Sequence, residues 1–580
     1  MDETNRPSKR AKRTPNPNPS SSPLSLSGSR LSSLHRPITP PSLSRSNPNP
    51  PQPPQPPQSP PPLHHQESPS NPTPKPKPNP IIIPSPIQLT HIRDLPPSSP
   101  YNLSTVRLRD ILGDPLIKEC WQFNYLIDVD FLMGQFDEDV RGLVKVRVVH
   151  GSWRREAENR VAIEEACARY PNVEAIVAYM PEPFGTHHSK MMVLVRHDGF
   201  AQVVIHTANM ISGDWANMCQ AVWRSPLLPL LKDSKSVAKV NDPRGTGVRF
   251  KRDLLAYLKA YGPKKTGPLV EQLSQYDFSA VRAALVASVP SKQRMNVSTE
   301  SSGVSTKTLW GWPALRDVLR SVPVGRDGGR PQIVTQISSV ASLGQTDKWL
   351  KEVFFASLAP SSTAVTTKPA FSIIFPTSDE IRRSLNGYGS GGSIHMKLQS
   401  AAQQKQLQYM RPYLCHWAGD VEETDTKTTQ RRWRRDAGRR RAAPHIKTYV
   451  RFATDEMDTI DWAMVTSANL STQAWGAAVN ANGEVRICSW EIGVVVWPDL
   501  LVDAGSGSDT DADAATGQTV MVPCFGKDTP DETAAADADT TIGFRMPYDL
   551  PLTRYSAEDV PWCATAGHSE PDWLGQTWED

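Results

Sequence analysis

At 580 residues the chain exceeds one ordinary domain, and its 38% hydrophobic content can build sizeable cores only if the polar residues are concentrated elsewhere. A formal net charge of +4 excludes a globally basic nucleic-acid binder, so any affinity for phosphate must come from a local patch. Seven scattered cysteines without a C-x-x-C pair exclude a disulfide framework and a structural zinc site.

The polar excess sits at the start. Residues 1–98 hold most of the 54 prolines, with Ser, Asn and Gln between them, a composition that predicts a disordered tail of polyproline character. Within it, Lys9, Arg10, Lys12 and Arg13 read as a nuclear import signal or as a solvated charge run. The N-terminus is polar and no apolar run reaches transmembrane length, so a soluble intracellular protein without a membrane partner is expected.

Order is expected from about Tyr101. NLSTVRLRDILGD reads as a short amphipathic helix, LVKVRVVHGS (143–152) as a strand, REAENRVAIEEACARY as a helix and VEAIVAYM as a strand. The stretch 184–215, FGTHHSKMMVLVRHDGFAQVVIHTANMISGDW, contains His188-x-Lys190 and two apolar strands around an Asp-Gly turn. His188 and Lys190 should point to one side of the chain and His187 to the other, as a structural or an orienting residue. Helices are predicted at 247–260 and 277–288, strand or loop at 297–308, and a domain junction at 325–330. That divides the chain into a first domain, 99–325, and a second, 326–580.

In the second domain, PQIVTQ predicts a strand running into a turn with Ser338, Ser339 and Ser342, and DKWLKEVFFA (347–356) a helix. The glycine-rich GYGSGGSIHMK (387–397) lacks nucleotide-loop spacing and reads as a surface turn or a substrate neighbour. A basic insertion, 418–443, carries seven Arg and Trp433 within 431–441, suited to DNA contact or to a mobile loop. An acidic insertion, 503–541, reads as a solvated loop with QTVMVPCF as a strand inside it. Strands alternating with helices predict an α/β fold of two similar sandwich domains.

The stretch 444–475, PHIKTYVRFATDEMDTIDWAMVTSANLSTQAW, repeats the first motif as His445-x-Lys447, an apolar run and a tetrad ending in Asn469. Trp475 stands six residues past Asn469, as Trp215 does past Asn209. Two copies of one half-site predict two domains meeting at a shared pocket. A neutral imidazole attacks an electrophile, a protonated one donates to a leaving oxygen, Lys supplies compact positive charge and Asn a neutral donor. The set suits a phosphodiester.

The wording GTHHSKMM, HTANM, PHIKTY, TSANLS and SWEIGV resembles the eukaryotic tyrosyl-DNA phosphodiesterase branch of the phospholipase D superfamily, over roughly residues 100–580. Val195 and Phe452 replace the Asp that general members carry five residues after the Lys, which separates the chain from lipid-cleaving relatives. The resemblance implies a DNA repair phosphodiesterase that removes tyrosyl-peptide remnants of topoisomerase I, and other adducts, from 3′ ends of single-stranded, nicked or duplex DNA in the nucleus. It implies His188 as nucleophile, forming a phosphohistidine, and His445 as general acid and then base. Lys190, Lys447, Asn209 and Asn469 would hold the phosphoryl oxygens, and Lys190 and Lys447 also count among the DNA contacts. Gln220 and Glu491 match positions that orient the imidazoles, although Glu491 also reads as a satisfied strand carboxylate. Ser338, Ser339 and Ser342 match phosphate donors, with an ordinary N-cap cluster as the alternative. Tyr125 and Phe184 are stacking candidates for single-stranded DNA, or core aromatics. No metal or other cofactor is expected, because two lysines already supply the positive charge, and a monomer is expected. The rival readings are another nuclease or lipid phosphodiesterase of the superfamily, and a silent DNA-binding scaffold.

Overall fold

The computed structural model describes residues 80–232, 242–295, 308–325, 329–364, 367–418, 435–502, 518–531 and 538–579. Expectations for the chain before residue 80, for 419–434 and for 503–517 lie outside the described residues, as does nearly all of 297–308.

The strands in chain order begin with β1 (Ile81–Ile83), β2 (Ile87–Leu89), β3 (Ile117–Phe123), β4 (Lys145–His150) and β5 (Val173–Val177). The first motif supplies β6 (Met191–Arg196) and β7 (Phe200–His206), followed by β8 (Ala221–Arg224) and β9 (Leu228–Pro229). Next come β10 (Ala284–Ser288), β11 (Ser291–Arg294), β12 (Gln332–Gln336), β13 (Ser339–Val340), β14 (Ala370–Ile374), β15 (His395–Met396) and β16 (Leu414–Cys415). The second motif supplies β17 (Thr448–Phe452) and β18 (Ile460–Thr466), followed by β19 (Glu484–Ile487), β20 (Glu491–Val496), β21 (Thr519–Cys524) and β22 (Thr540–Arg545).

Two mixed sheets result, and one pattern builds both. In the first, the order is β2-β8-β7-β6-β3-β4-β5, with β3, β4 and β5 parallel and the other neighbours antiparallel. In the second, β10-β20-β18-β17-β12-β14-β16 repeats that order and those directions. The apolar runs after each His-x-Lys form the central hairpins. Residues 197–199 close the first hairpin tightly, with Gly199 at φ 82°, where a side chain is disfavoured. Residues 453–459 close the second, which accounts for the longer His-to-Asn spacing in that copy.

Alternation along the strands sets the layers. Met191, Val193 and Val195 share one buried cluster with Val450, Ala463, Val465, Ile492 and Val494, so the inner faces of both sheets contribute to one core. Helices Gly247–Ala260 and Pro263–Ser274 complete it with Phe250, Leu254, Tyr257, Leu258, Leu269 and Leu273. Met192, Leu194 and Val204 face an outer cluster with Leu132, Met133 and Ile163, and Tyr449, Met464 and Val495 face another with Leu315, Leu350 and Phe354. Each sheet therefore has apolar residues on both faces, as an α/β sandwich requires.

Three expectations need correction. The segment 80–98, assigned to the tail, is built into both sheets. β1 pairs with β22 of the second sheet and β2 with β8 of the first, while Ile87, Leu89 and Ile92 are buried. The second repeat begins at β10, not after Gly325, because β10 occupies the place in its sheet that β2 holds in the other. The predicted helix 277–288 is a turn followed by β10, buried at every position; an apolar run covered on both sides has no period to betray it. In the described end of the basic insertion three arginines are engaged within the fold, while Arg441 is exposed. Arg439 donates to the Tyr101 carbonyl, Arg440 pairs with Asp549, and Arg435 bonds the Met457 and Glu456 carbonyls. The strand foreseen inside the acidic insertion is present as β21, parallel to β22.

Candidate active site

Both His-x-Lys motifs lie just before a central strand, His188 ahead of β6 and His445 ahead of β17, and the segments that carry them cross to the opposite repeat. The His188 N–H donates to the Trp490 carbonyl and the Trp490 N–H to that of Thr186, each at 2.9 Å. On the other side the Cys219 N–H donates to Ala443 at 2.9 Å and the Ile446 N–H to Cys219 at 2.8 Å. Trp490 and Cys219 immediately precede Glu491 and Gln220, so each lead-in is hydrogen-bonded beside the residue that meets the imidazole. His188 Nδ1 lies 3.0 Å from Glu491 Oε2, and His445 Nδ1 lies 3.0 Å from Gln220 Nε2. Glu491 and Gln220 are themselves tied back to the tetrads. The Ser467 hydroxyl donates to Glu491, and the Thr207 hydroxyl donates to Gln220 Oε1 at 2.7 Å.

The two clusters therefore share one site. Lys190 and Lys447 are buried beside the imidazoles, each ammonium donating to the carbonyl of its own motif histidine. Burial pushes Lys190 down to about 8, and burial together with the charge of Lys190 holds Lys447 well below the ordinary lysine value. Burial lowers His188, with Lys190 adding to it and Glu491 opposing it. His445 falls further, through burial and then the charges of Lys447, Lys190 and His188. Burial is the first cause of all four shifts, and two lysines and two histidines so gathered out of water favour an anionic ligand.

The asparagines differ in their anchoring. Asn469 Oδ1 accepts from the Ser338 N–H (3.0 Å), the Ser338 hydroxyl (3.2 Å) and the Ser339 N–H (3.0 Å). Three donors fix the amide so that its NH2 is the end left for a ligand. Asn209 Oδ1 is buried with no partner among the described residues, while its backbone N–H is held by Asp214 at 2.7 Å. Ser338 is thus not a direct phosphate donor here: it is fully buried and spent on Asn469. Ser339 is half-buried and Ser342 exposed on the same turn. β13, which begins at Ser339, pairs with β15 at the end of the glycine-rich stretch. That stretch is packed rather than loose, since a Cβ on Gly391 would lie 2.1 Å from the Trp562 ring.

The Tyr125 ring sits 5.6 Å from the His188 imidazole and is 41% exposed, and Phe184 is 71% exposed on the loop leading to His188. Neither is a core aromatic. His187 is structural: Nδ1 lies 3.0 Å from the Asn124 carbonyl and Nε2 2.9 Å from the Tyr261 hydroxyl, with burial pushing it down to about 3. Trp215 and Trp475, the repeated tryptophans, belong to the outer clusters.

One residue escaped the sequence. Asp214, buried in the helix Ser212–Ala216, places Oδ2 3.2 Å from His445 Nδ1 and 3.4 Å from Gln220 Nε2. Its burial pushes it up to about 6. The second copy has Ala474 at this position, so a search for shared residues passes over it. Among the described residues no group of three His, Cys, Asp or Glu is placed to hold a metal ion.

The chain is 30% identical to a probable tyrosyl-DNA phosphodiesterase of Schizosaccharomyces pombe, over 86% of this chain and 96% of that one. It is 31% identical to tyrosyl-DNA phosphodiesterase 1 of Arabidopsis thaliana, over 86% and 77% respectively. The crystal structure of the yeast tyrosyl-DNA phosphodiesterase shares the fold, with a TM-score of 0.54 at 20% identity, over 83% of this chain and 99% of that one. Residues 86–556 match the family profile described as tyrosyl-DNA phosphodiesterase, and the chain belongs to that family of phosphoric diester hydrolases.

Proposed function

We propose that this enzyme hydrolyses the phosphodiester between a DNA 3′ end and the tyrosine of a topoisomerase I remnant, and other 3′ adducts, through a phosphohistidine. The observation that carries the reading is the exchange across the repeats. Each imidazole is held through Nδ1 by a side chain of the opposite repeat, so Nε2 is the ring nitrogen left for chemistry. His188 attacks phosphorus and His445 protonates the leaving tyrosyl oxygen; His445 then takes a proton from the water that releases the DNA. Lys190, Lys447, Asn209 and Asn469 hold the non-bridging oxygens as phosphorus becomes five-coordinate. Asn469 is the best prepared of these, with its carbonyl already occupied.

The exposed Tyr125 and Phe184 rings offer stacking surfaces for unpaired bases at the 3′ end, and Ser339 and Ser342 remain as candidate phosphate donors. Both halves of the site come from one chain, so a monomer suffices. Two ammonium groups supply the charge that a metal would otherwise bring, and activity should persist in excess chelator; loss restored by added metal would overturn that part. The basic cluster Lys9–Arg13 is proposed to direct the enzyme to the nucleus, testable by following a fluorescent fusion with those residues replaced.

The deciding assay offers the purified enzyme a 3′-tyrosyl oligonucleotide, the same oligonucleotide unmodified, and phosphatidylcholine. Release of tyrosine from the first, well ahead of the other two, is expected. Preference for the lipid or for unmodified DNA would replace the reading with another phosphodiesterase, and binding without turnover would make the chain a scaffold.

A further inference from the structure

The two half-sites are built alike but not charged alike. Gln220 and Glu491 hold equivalent places beside His445 and His188, and so do Thr207 and Ser467 behind them. A carboxylate meets His188, whereas His445 meets an amide. Asp214 stands five residues past Asn209, and its counterpart five residues past Asn469 is Ala474. The half that lacks the glutamate at one position therefore has an aspartate at the other.

Two side-chain oxygens stand within reach of the His445 Nδ1 proton, and charge separates them. Gln220 Oε1 lies 3.3 Å from His445 Nδ1 and also accepts the Thr207 hydroxyl at 2.7 Å, so what it offers the ring is the second lone pair of a neutral amide. Gln220 Nε2, at 3.0 Å, is a donor and cannot accept from the ring. Asp214 Oδ2, at 3.2 Å, also accepts, and unlike the amide oxygen it brings the negative charge that an imidazolium needs. The same oxygen takes the Asn209 N–H at 2.7 Å and Gln220 Nε2 at 3.4 Å, so three donors converge on one buried carboxylate oxygen. Lys447, Lys190 and His188 all oppose a positive charge on His445, the Thr207 backbone favours one, and Asp214 is the carboxylate within hydrogen-bond distance of that ring.

We infer that Asp214, rather than Gln220, is the positioning residue that keeps a proton on His445 Nδ1 and supports the imidazolium form of that ring. Gln220 then serves to orient Asp214 and close the pocket. The inference rests on the function proposed above. In the first step the His188 Nε2–phosphorus bond forms and the phosphorus–oxygen bond to tyrosine breaks. Its electron pair goes to the phenolic oxygen, which takes the Nε2 proton of His445. His445 remains neutral, with its Nδ1–H on Asp214. In the second step Nε2 takes a proton from water while the water oxygen bonds phosphorus and the nitrogen–phosphorus bond breaks, its pair returning to His188.

The test compares Asp214→Asn with the unaltered enzyme in single turnovers on two oligonucleotides, one ending in a 3′-phosphotyrosine and one in a 3′-phospho-4-nitrophenol. Nitrophenolate leaves without a proton. Asp214→Asn is expected to slow tyrosine release about 100-fold, with KM little changed, while nitrophenolate release stays within about tenfold of the unaltered enzyme. Equal slowing of both leaving groups would reduce Asp214 to a structural role, and unchanged tyrosine release would remove it from the reaction. Should the variant fail to fold, the 15N shifts of His445 in the unaltered protein decide: a neutral ring protonated at Nε2 would overturn the inference. If the unaltered enzyme releases no tyrosine, the proposed function fails instead.

Discussion

On the proposed mechanism the two imidazoles divide the work unequally, and single substitutions separate their roles. With the fully matched 3′-tyrosyl oligonucleotide, His188→Ala should form no covalent protein–DNA species. His445→Ala should let one accumulate, since the base for the second step is missing; a denaturing gel distinguishes the two, and adduct only in the first variant would exchange the roles. The pH dependence follows from the surroundings. His188 must be neutral to attack, and burial beside Lys190 lowers it, so the acid limb of activity should fall below the ordinary imidazole value near 6.5. His445 must be protonated in the first step of the proposed mechanism, yet burial and the charges of Lys447, Lys190 and His188 hold it well below that value. A bound phosphodiester anion would add negative charge beside the ring and favour its protonated form. The base limb of kcat, which reports the bound state, should therefore lie at higher pH than that of kcat/KM, and coincident limbs in the two profiles would refute this account.

The central hairpins and the helix 247–260 were legible because their apolar residues recur with a strand or a helix period. The His, Lys and Asn set was legible because it occurs twice. Asp214 was not, since duplication reveals what two copies share and this residue is where they differ. β1 and β2 were hidden among prolines because three-residue strands draw their stability from partners distant in the chain, Thr540–Ile542 and Ala221–Trp223. That pairing has a measurable consequence. Removal of the chain up to residue 79 should leave thermal stability unchanged, whereas removal up to residue 98 takes Ile87, Leu89 and Ile92 from the core. Their loss should cost about 5 kcal/mol or more, read by denaturant unfolding. Equal stability of the two truncations would show that these strands do not matter.

At the scale of the whole molecule, the exchange of imidazole partners makes the repeats interdependent. Fragments 80–282 and 283–579, produced separately, should each be inactive, since neither contains a histidine together with its own orienting residue. Mixing or co-expressing them should recover activity above that of either alone, and turnover by one fragment would contradict the exchange.

Reciprocal contacts of this kind, i to j and j to i, are the signature of a twofold homodimer. The repeated strand order and crossed ligands have the form such a dimer would take if its subunits were joined end to end. In a true homodimer every substitution appears on both sides of the axis at once. A single chain is free of that constraint, and the two halves differ at the Gln220–Glu491 and Asp214–Ala474 pairs, which on the proposed mechanism suit one ring to attack and the other to carry a proton.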